Sequence, residues 1–255
     1  MRHIKLTLQY DGTNYSGWQV QINAATIQGH LEDIILAITG EHSRVTGAGR
    51  TDAGVHALEQ VAVFKTESRL DADILQRAIN AHLPPDIRLM KAMECDEGFH
   101  PRYDAKSKTY SYVISGMDAY SVFLTRYSWN VRCQLDIEAM KEAAHYLRGT
   151  HDFSSFRASG CSSRHPVREI TGINISAMNA IEFIDFRLDI PVIKIGITAT
   201  AFLRHMARNI VGTLVEAGRN KLTPSRVKEI LDARDRRLAG KTAPACGLFL
   251  EEIYY

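Results

Sequence analysis

The chain has 255 residues, 45% of them hydrophobic, which is enough to bury one large core or two smaller ones and leaves no compositional sign of disorder. A formal net charge of +2 is too mild to mark a nucleic-acid binder by itself, so any RNA surface has to come from local clustering of the 31 Lys and Arg residues. Cys95, Cys133, Cys161 and Cys246 stand far apart with no C-x-x-C pair, so neither a zinc site nor a disulfide framework is written here and a reduced cytosolic chain is expected.

Met1 to Leu6 alternate charged and apolar residues instead of forming the apolar core of a secretion signal, and no stretch reaches the length of a membrane span. The expectation is a cytoplasmic protein with no membrane contact. Ile4, Leu6, Leu8 and Tyr10 alternate with Lys5, Thr7 and Gln9, the period of a strand with one buried face. Ile27, Leu31, Ile34, Ile35 and Ile38 then recur at helical spacing between Thr26 as N-cap and Gly40 as stop. Residues 60–65 read as a strand, Asp71 opens a helix that Pro84-Pro85 ends, and residues 87–93 form a further strand. Residues 98–102 read as a hinge, which places a domain boundary near Asp104 and gives lobes of 1–104 and 105–255. In the second lobe the pattern restarts with a strand at 107–115 and a helix over 136–148 that stops at Gly149. Strands follow at 170–177, 181–190 and 192–199, then a helix over 201–218 and another from Thr223-Pro224. Both halves read as helices on one face of a mostly antiparallel sheet, an α+β arrangement.

Between the first helix and the strand at 60–65 lies Gly47-Ala48-Gly49-Arg50-Thr51-Asp52-Ala53-Gly54-Val55-His56-Ala57. It confines one carboxylate and one guanidinium within a glycine-punctuated turn. Gly47, Gly49 and Gly54 permit positive φ and close approach of a ligand, Arg50 suits a phosphate or a neighbouring acid, and Asp52 is the candidate reactive group. The competing local reading is an Asx-turn in which Asp52 bonds its own backbone and Arg50 is solvated. His42 and His56 read as ordinary polar partners, since no metal spacing links them.

The string Gly49 to Ala57 closely resembles the catalytic motif of the tRNA pseudouridine synthases of the A type, a family that isomerises uridine within folded tRNA. The opening Tyr10-Asp11-Gly12-Thr13-Asn14-Tyr15-Ser16-Gly17-Trp18-Gln19 is similar to the family's first strand and turn. Lys108-Thr109-Tyr110-Ser111-Tyr112, His151-Asp152-Phe153-Ser154-Ser155-Phe156, the stretch from Phe202 to Gly212 and Gly247-Leu248-Phe249-Leu250 are similar to later family blocks in the same order.

The resemblance implies a fold of two similar lobes with an active-site cleft between them. It also implies a homodimer that modifies uridines at positions 38, 39 and 40 in the anticodon stem-loop of tRNA, with no metal and no cofactor. It gives Asp52 the role of catalytic carboxylate, Tyr110 that of packing on the target base, Arg208 that of active-site partner of Asp52, and Arg50 that of displacing the base. The residue types suit those roles. An aromatic face holds a flipped nucleobase, and a guanidinium orients a carboxylate and keeps it ionised. Read without the resemblance, Tyr110 is a half-buried strand tyrosine and Arg50 a partner in a local ion pair. Tyr112, two residues on, reads as packing. Arg204 reads as solvated or phosphate-contacting, residues 157–168 as a basic loop that touches tRNA or solvent, and the run Arg234, Arg236 and Arg237 as a solvated face. Two rival functions remain open: a non-catalytic tRNA-binding or folding module, and a carboxylate-dependent nucleoside hydrolase.

Overall fold

The computed structural model describes residues 1–116, 121–161, 163–183 and 186–255. In chain order its strands are β1 (Arg2–Tyr10), β2 (Thr46–Gly47), β3 (His56–Thr66), β4 (Ile87–Cys95), β5 (Ser107–Ser115), β6 (Trp129–Asn130), β7 (Gly149–Asp152), β8 (Val167–Met178), β9 (Ile181–Phe183), β10 (Phe186–Leu188), β11 (Val192–Ala199) and β12 (Leu248–Tyr254). Helices α1 (Ile27–Thr39), α2 (Ala72–His82), α3 (Ile137–His145), α4 (Met206–Gly218) and α5 (Pro224–Ala233) intervene. The chain divides into two compact units, Met1–Lys106 with Phe249–Tyr255, and Ser107–Leu248. Pairing within each is antiparallel, except that β12 runs parallel to β3 and β6 parallel to β5, so the class is α+β.

In the first unit, β1 lies between β3 and β4, and the apolar alternation decides which face it buries: Ile4, Leu6, Leu8 and Tyr10 are all buried, whereas Gln9 is exposed. Strand β3 is longer than the expected 60–65. It starts at His56, directly after the Asp52 loop, and Val61 to Phe64 are buried on both faces, which hides the alternation. Helix α1 has the caps expected of it. The Thr26 hydroxyl accepts from Gly29 N–H at 3.2 Å, and Gly40 closes the helix at φ 73° while donating to the Leu36 carbonyl. Helix α2 stops at His82, ahead of the prolines, and packs on β4. There Asn80 imitates a neighbouring strand: its Nδ2 donates to the Leu89 carbonyl at 2.8 Å and its Oδ1 accepts from Leu89 N–H at 2.9 Å.

In the second unit, β11 is central between β5 and β8, and β7 extends the sheet beyond β8. Helix α3 is capped by Asp136, whose carboxylate accepts from Ala139 N–H at 3.0 Å, and it ends at His145, short of the expected Arg148. The single strand expected over 181–190 is instead an antiparallel pair, β9 with β10; positions 184 and 185 lie outside the described residues. The helix expected from 201 begins at Met206, because His205 is left-handed at φ 59° and Leu203 and Met206 close a turn. Leu203 is buried as Met206 is, so apolar periodicity continues through a segment that is not helical. Helix α5 starts as expected, with Thr223 accepting from Arg226 N–H and Pro224 in its first turn.

Candidate active site

The Asp52 loop is held by the turn that follows β1. Thr51 is buried and fixed twice: its hydroxyl meets the Tyr10 phenol at 2.9 Å and its carbonyl accepts from Trp18 N–H at 3.1 Å. Beyond Asp52, Val55 N–H donates to the Asp52 carbonyl at 3.1 Å and Gly54 N–H to the Tyr15 carbonyl at 3.3 Å. On the other flank Gln60 donates to the Gly49 carbonyl at 2.8 Å, and Ala48 N–H to the Val61 carbonyl at 2.7 Å. Both ends of the loop are therefore tied to buried structure, with Asp52 half-buried and Arg50 exposed between them.

Two glycines of the opening turn make this fit possible. A Cβ on Gly12 would lie 2.0 Å from the Val55 carbonyl oxygen, and one on Gly17 would lie 2.5 Å from the Thr51 oxygen, with Gly17 at φ +97°. Of the three loop glycines expected to use positive φ, only Gly54 does. Gly47 sits in β2, and its missing side chain makes room for the Trp18 indole, 2.6 Å from where a Cβ would be. His56, read as an ordinary polar partner, is buried; its Nδ1 lies 3.1 Å from the Gly12 nitrogen and 3.0 Å from the Asp11 carboxylate, and its ring stacks on Phe249. Burial raises the Tyr10 phenol to about 12, outweighing its hydrogen bonds to Thr51 and Gln60, so it is neutral at physiological pH.

Tyr110 and Arg208 belong to the second unit. Tyr110 sits on β5 opposite Ile197, 8% exposed, with Phe202 edge-on at 4.8 Å. Tyr112 is wholly buried, donates to the Pro244 carbonyl at 2.8 Å, and has its phenol pushed up by burial. That is a packing role. Arg208, in the first turns of α4, donates from Nε to the Ala243 carbonyl at 2.8 Å, while its own carbonyl accepts from Ala243 N–H at 3.1 Å. The structure thus gathers Arg50 and Asp52 in one loop, and carries Tyr110 and Arg208 on β5 and α4.

Around Arg208 the sequence reading missed a buried clamp. Asn209, fully buried, donates to the Phe156 carbonyl at 2.8 Å, and its Oδ1 accepts from Arg236 at 3.0 Å and from the Thr242 hydroxyl at 2.6 Å. Beside it a Cβ on Gly212 would overlap the Lys241 oxygen, so the segment carrying Ala243 lies directly on α4. Arg236 is therefore a structural cation, not part of a solvated face, and desolvation lowers its pKa. Arg237 does lie on the surface, paired with Asp235, and Arg234 Nε stands 3.3 Å from Asp152. The basic loop at 157–168, in which position 162 lies outside the described residues, folds two of its cations inward: Arg157 donates to the Ser163 carbonyl and Arg168 to the His165 carbonyl and Ser163 hydroxyl. Arg204 precedes α4, is exposed and donates to the Ser159 carbonyl. Among the described residues, no group of three His, Cys, Asp or Glu side chains is arranged to hold a metal ion, and no helix is long and apolar enough to cross a membrane.

A family model described as tRNA pseudouridine synthase matches residues 7–104 and 143–255. Proteins named tRNA pseudouridine synthase A are similar over the full length. That of Acetivibrio thermocellus is 44% identical over 255 residues, covering all of both chains. That of Moorella thermoacetica is 45% identical over 254 residues, 99% of each chain, and that of Myxococcus xanthus is 42% identical, covering all of this chain and 92% of its own.

Proposed function

Because the chain belongs to the tRNA pseudouridine synthase family, and so is an isomerase acting on tRNA uridine, we propose that it modifies positions 38, 39 and 40 of the anticodon stem-loop with Asp52 as catalytic carboxylate. The reaction breaks the bond from N1 to C1′, turns the base, and joins C5 to C1′. The proton lost from C5 is balanced by one gained at N1, so the product is an isomer and no electrons are exchanged. An ionised carboxylate serves any of three openings: attack on C1′, addition to the base, or removal of a ribose proton.

In this reading Tyr110 lays its ring on the extruded base, Arg208 is the guanidinium that the family resemblance pairs with the catalytic carboxylate, and Arg50 helps displace the base from its stack. The single observation in favour of Asp52 is the anchoring of the loop on either side of it, through Thr51 to Tyr10 and Trp18 and through Gly54 to Tyr15. Such a backbone presents its carboxylate in one place, which is what positioning by an enzyme demands. The family resemblance further supports a cytoplasmic homodimer that works without metal or cofactor.

The test is to map pseudouridine in tRNA from cells lacking this protein, and then to treat that tRNA with the purified protein. Loss confined to positions 38, 39 and 40, restored on treatment, is the expected outcome. Uridine left unchanged by a protein that binds tRNA would make it a binding module. Free uracil with an abasic site would make it a hydrolase.

A further inference from the structure

Within the first unit, residues 98–104 form a turn that is bonded throughout and carries an aromatic ring with no place in the core. His100 N–H donates to the Asp104 carboxylate at 2.8 Å, and the His100 carbonyl accepts from Tyr103 N–H at 3.2 Å and Asp104 N–H at 3.0 Å. The His100 ring closes the turn as well: its Nδ1 accepts from Arg102 N–H at 3.1 Å and Tyr103 N–H at 3.3 Å. A backbone N–H only donates, so Nδ1 carries the lone pair and the proton sits on Nε2. Beneath the turn, Pro101 is buried, its carbonyl accepts from the Tyr255 hydroxyl at 2.8 Å, and Lys5 lies over the rings of Phe99 and Tyr255. The backbone that bears Tyr103 is thus fixed from below.

Tyr103 is 74% exposed, more than any other Phe, Tyr or Trp side chain among the described residues. Its ring is not isolated. The His100 ring lies 4.2 Å from it at 35°, the start of a stack, and the exposed Arg102 guanidinium stands 5.7 Å from its centroid. An aromatic ring pays no core stability out here, and a rigid turn that displays it spends little entropy on receiving a second flat ring. Base faces are such rings, whatever the base, and a cation alongside meets the phosphate that accompanies each of them.

We propose that Tyr103, backed by His100 and flanked by Arg102, is a stacking platform for an unpaired nucleobase of the bound tRNA, in addition to the residues assigned to the reaction. The proposal rests on tRNA being the substrate. It adds a contact that strengthens binding and takes no part in bond breaking, so affinity and chemistry separate on mutation.

The measurements are the affinity for full-length tRNA and the single-turnover rate at saturating protein, with sedimentation of the free protein alongside. Tyr103→Ala should bind roughly tenfold more weakly, the scale of one lost base–aromatic stack, with an unchanged saturating rate. Tyr103→Trp, which keeps a ring, should bind as the parent does. Arg102→Gln should flatten the dependence of affinity on salt by about one phosphate contact. Parent affinity in Tyr103→Ala would overturn the platform while leaving the enzyme's function standing, provided the parent protein still makes pseudouridine. A protein that neither binds nor modifies tRNA would instead overturn the function on which the platform rests. A changed sedimentation coefficient in Tyr103→Ala would also overturn it, making this ring an interface between copies of the chain.

Discussion

At Asp52 the carboxylate rides on a backbone whose neighbours on both sides are committed elsewhere, so charge and position can be tested apart. Asp52→Asn keeps the shape and removes the charge. The variant should fold and keep its tRNA affinity, while release of hydrogen from uridine C5 falls by at least about 10²–10⁴-fold. Normal release in a single turnover would remove Asp52 from the chemistry. Gly17→Ala makes the opposite test, because it leaves every reactive group in place and attacks the fit. The left-handed backbone alone costs about 1–2 kcal/mol with a Cβ, and the collision with the Thr51 carbonyl adds to it. This variant should lose thermal stability and turnover together, and a parent-like midpoint and rate would show that the loop does not depend on the opening turn. None of that dependence is legible locally. The types Asp52 and Arg50 stand out in the sequence, whereas the pairing of Gly12 and Gly17 with Val55 and Thr51 exists only once the chain has folded back.

Among the elements, the segment laid along α4 offers the sharpest contrast between buried and exposed charge. Asn209→Ala leaves the Phe156 carbonyl without its amide partner and takes from Arg236 and Thr242 the oxygen they share. Each buried polar group so stranded costs about 1–3 kcal/mol, so denaturant titration should show a loss of at least that size. Arg237→Ala breaks only an exposed pair with Asp235 and should stay within about 1 kcal/mol of the parent. Equal losses in the two would mean the clamp contributes nothing beyond a surface pair. Legibility follows the range of the interaction. Helix α1 can be read because Thr26 and Gly40 act within one turn of its ends, and β1 because alternation is a local property. The start of α4 cannot, since Leu203 is buried like its helical successors, and Arg236 cannot, since its partners lie on α4 and at Thr242.

For the molecule as a whole, burial of phenols fixes how stability depends on alkali. Tyr10 is raised by burial to about 12, and Tyr15, Tyr112 and Tyr255 are also raised, with burial again the leading cause. A phenol held neutral in the fold favours the folded state fully below its ordinary value of 10.0, and this advantage is lost as pH rises through the folded value. Denaturant midpoints should therefore fall progressively from about pH 10 towards 12, more shallowly in Tyr10→Phe. A flat profile across that interval would contradict the burial of these rings. The two compact units place a different demand on the chain. Strand β12 sets Phe249 and Leu250 beside His56 and Ala57, the residues that leave the Asp52 loop, although the whole second unit is translated between them. On the ribosome, the first unit therefore waits with an open edge until its final strand emerges. A message cut short anywhere in the second unit yields a protein whose Asp52 loop rests on an unfinished sheet, and the cell's proteases meet it in that state.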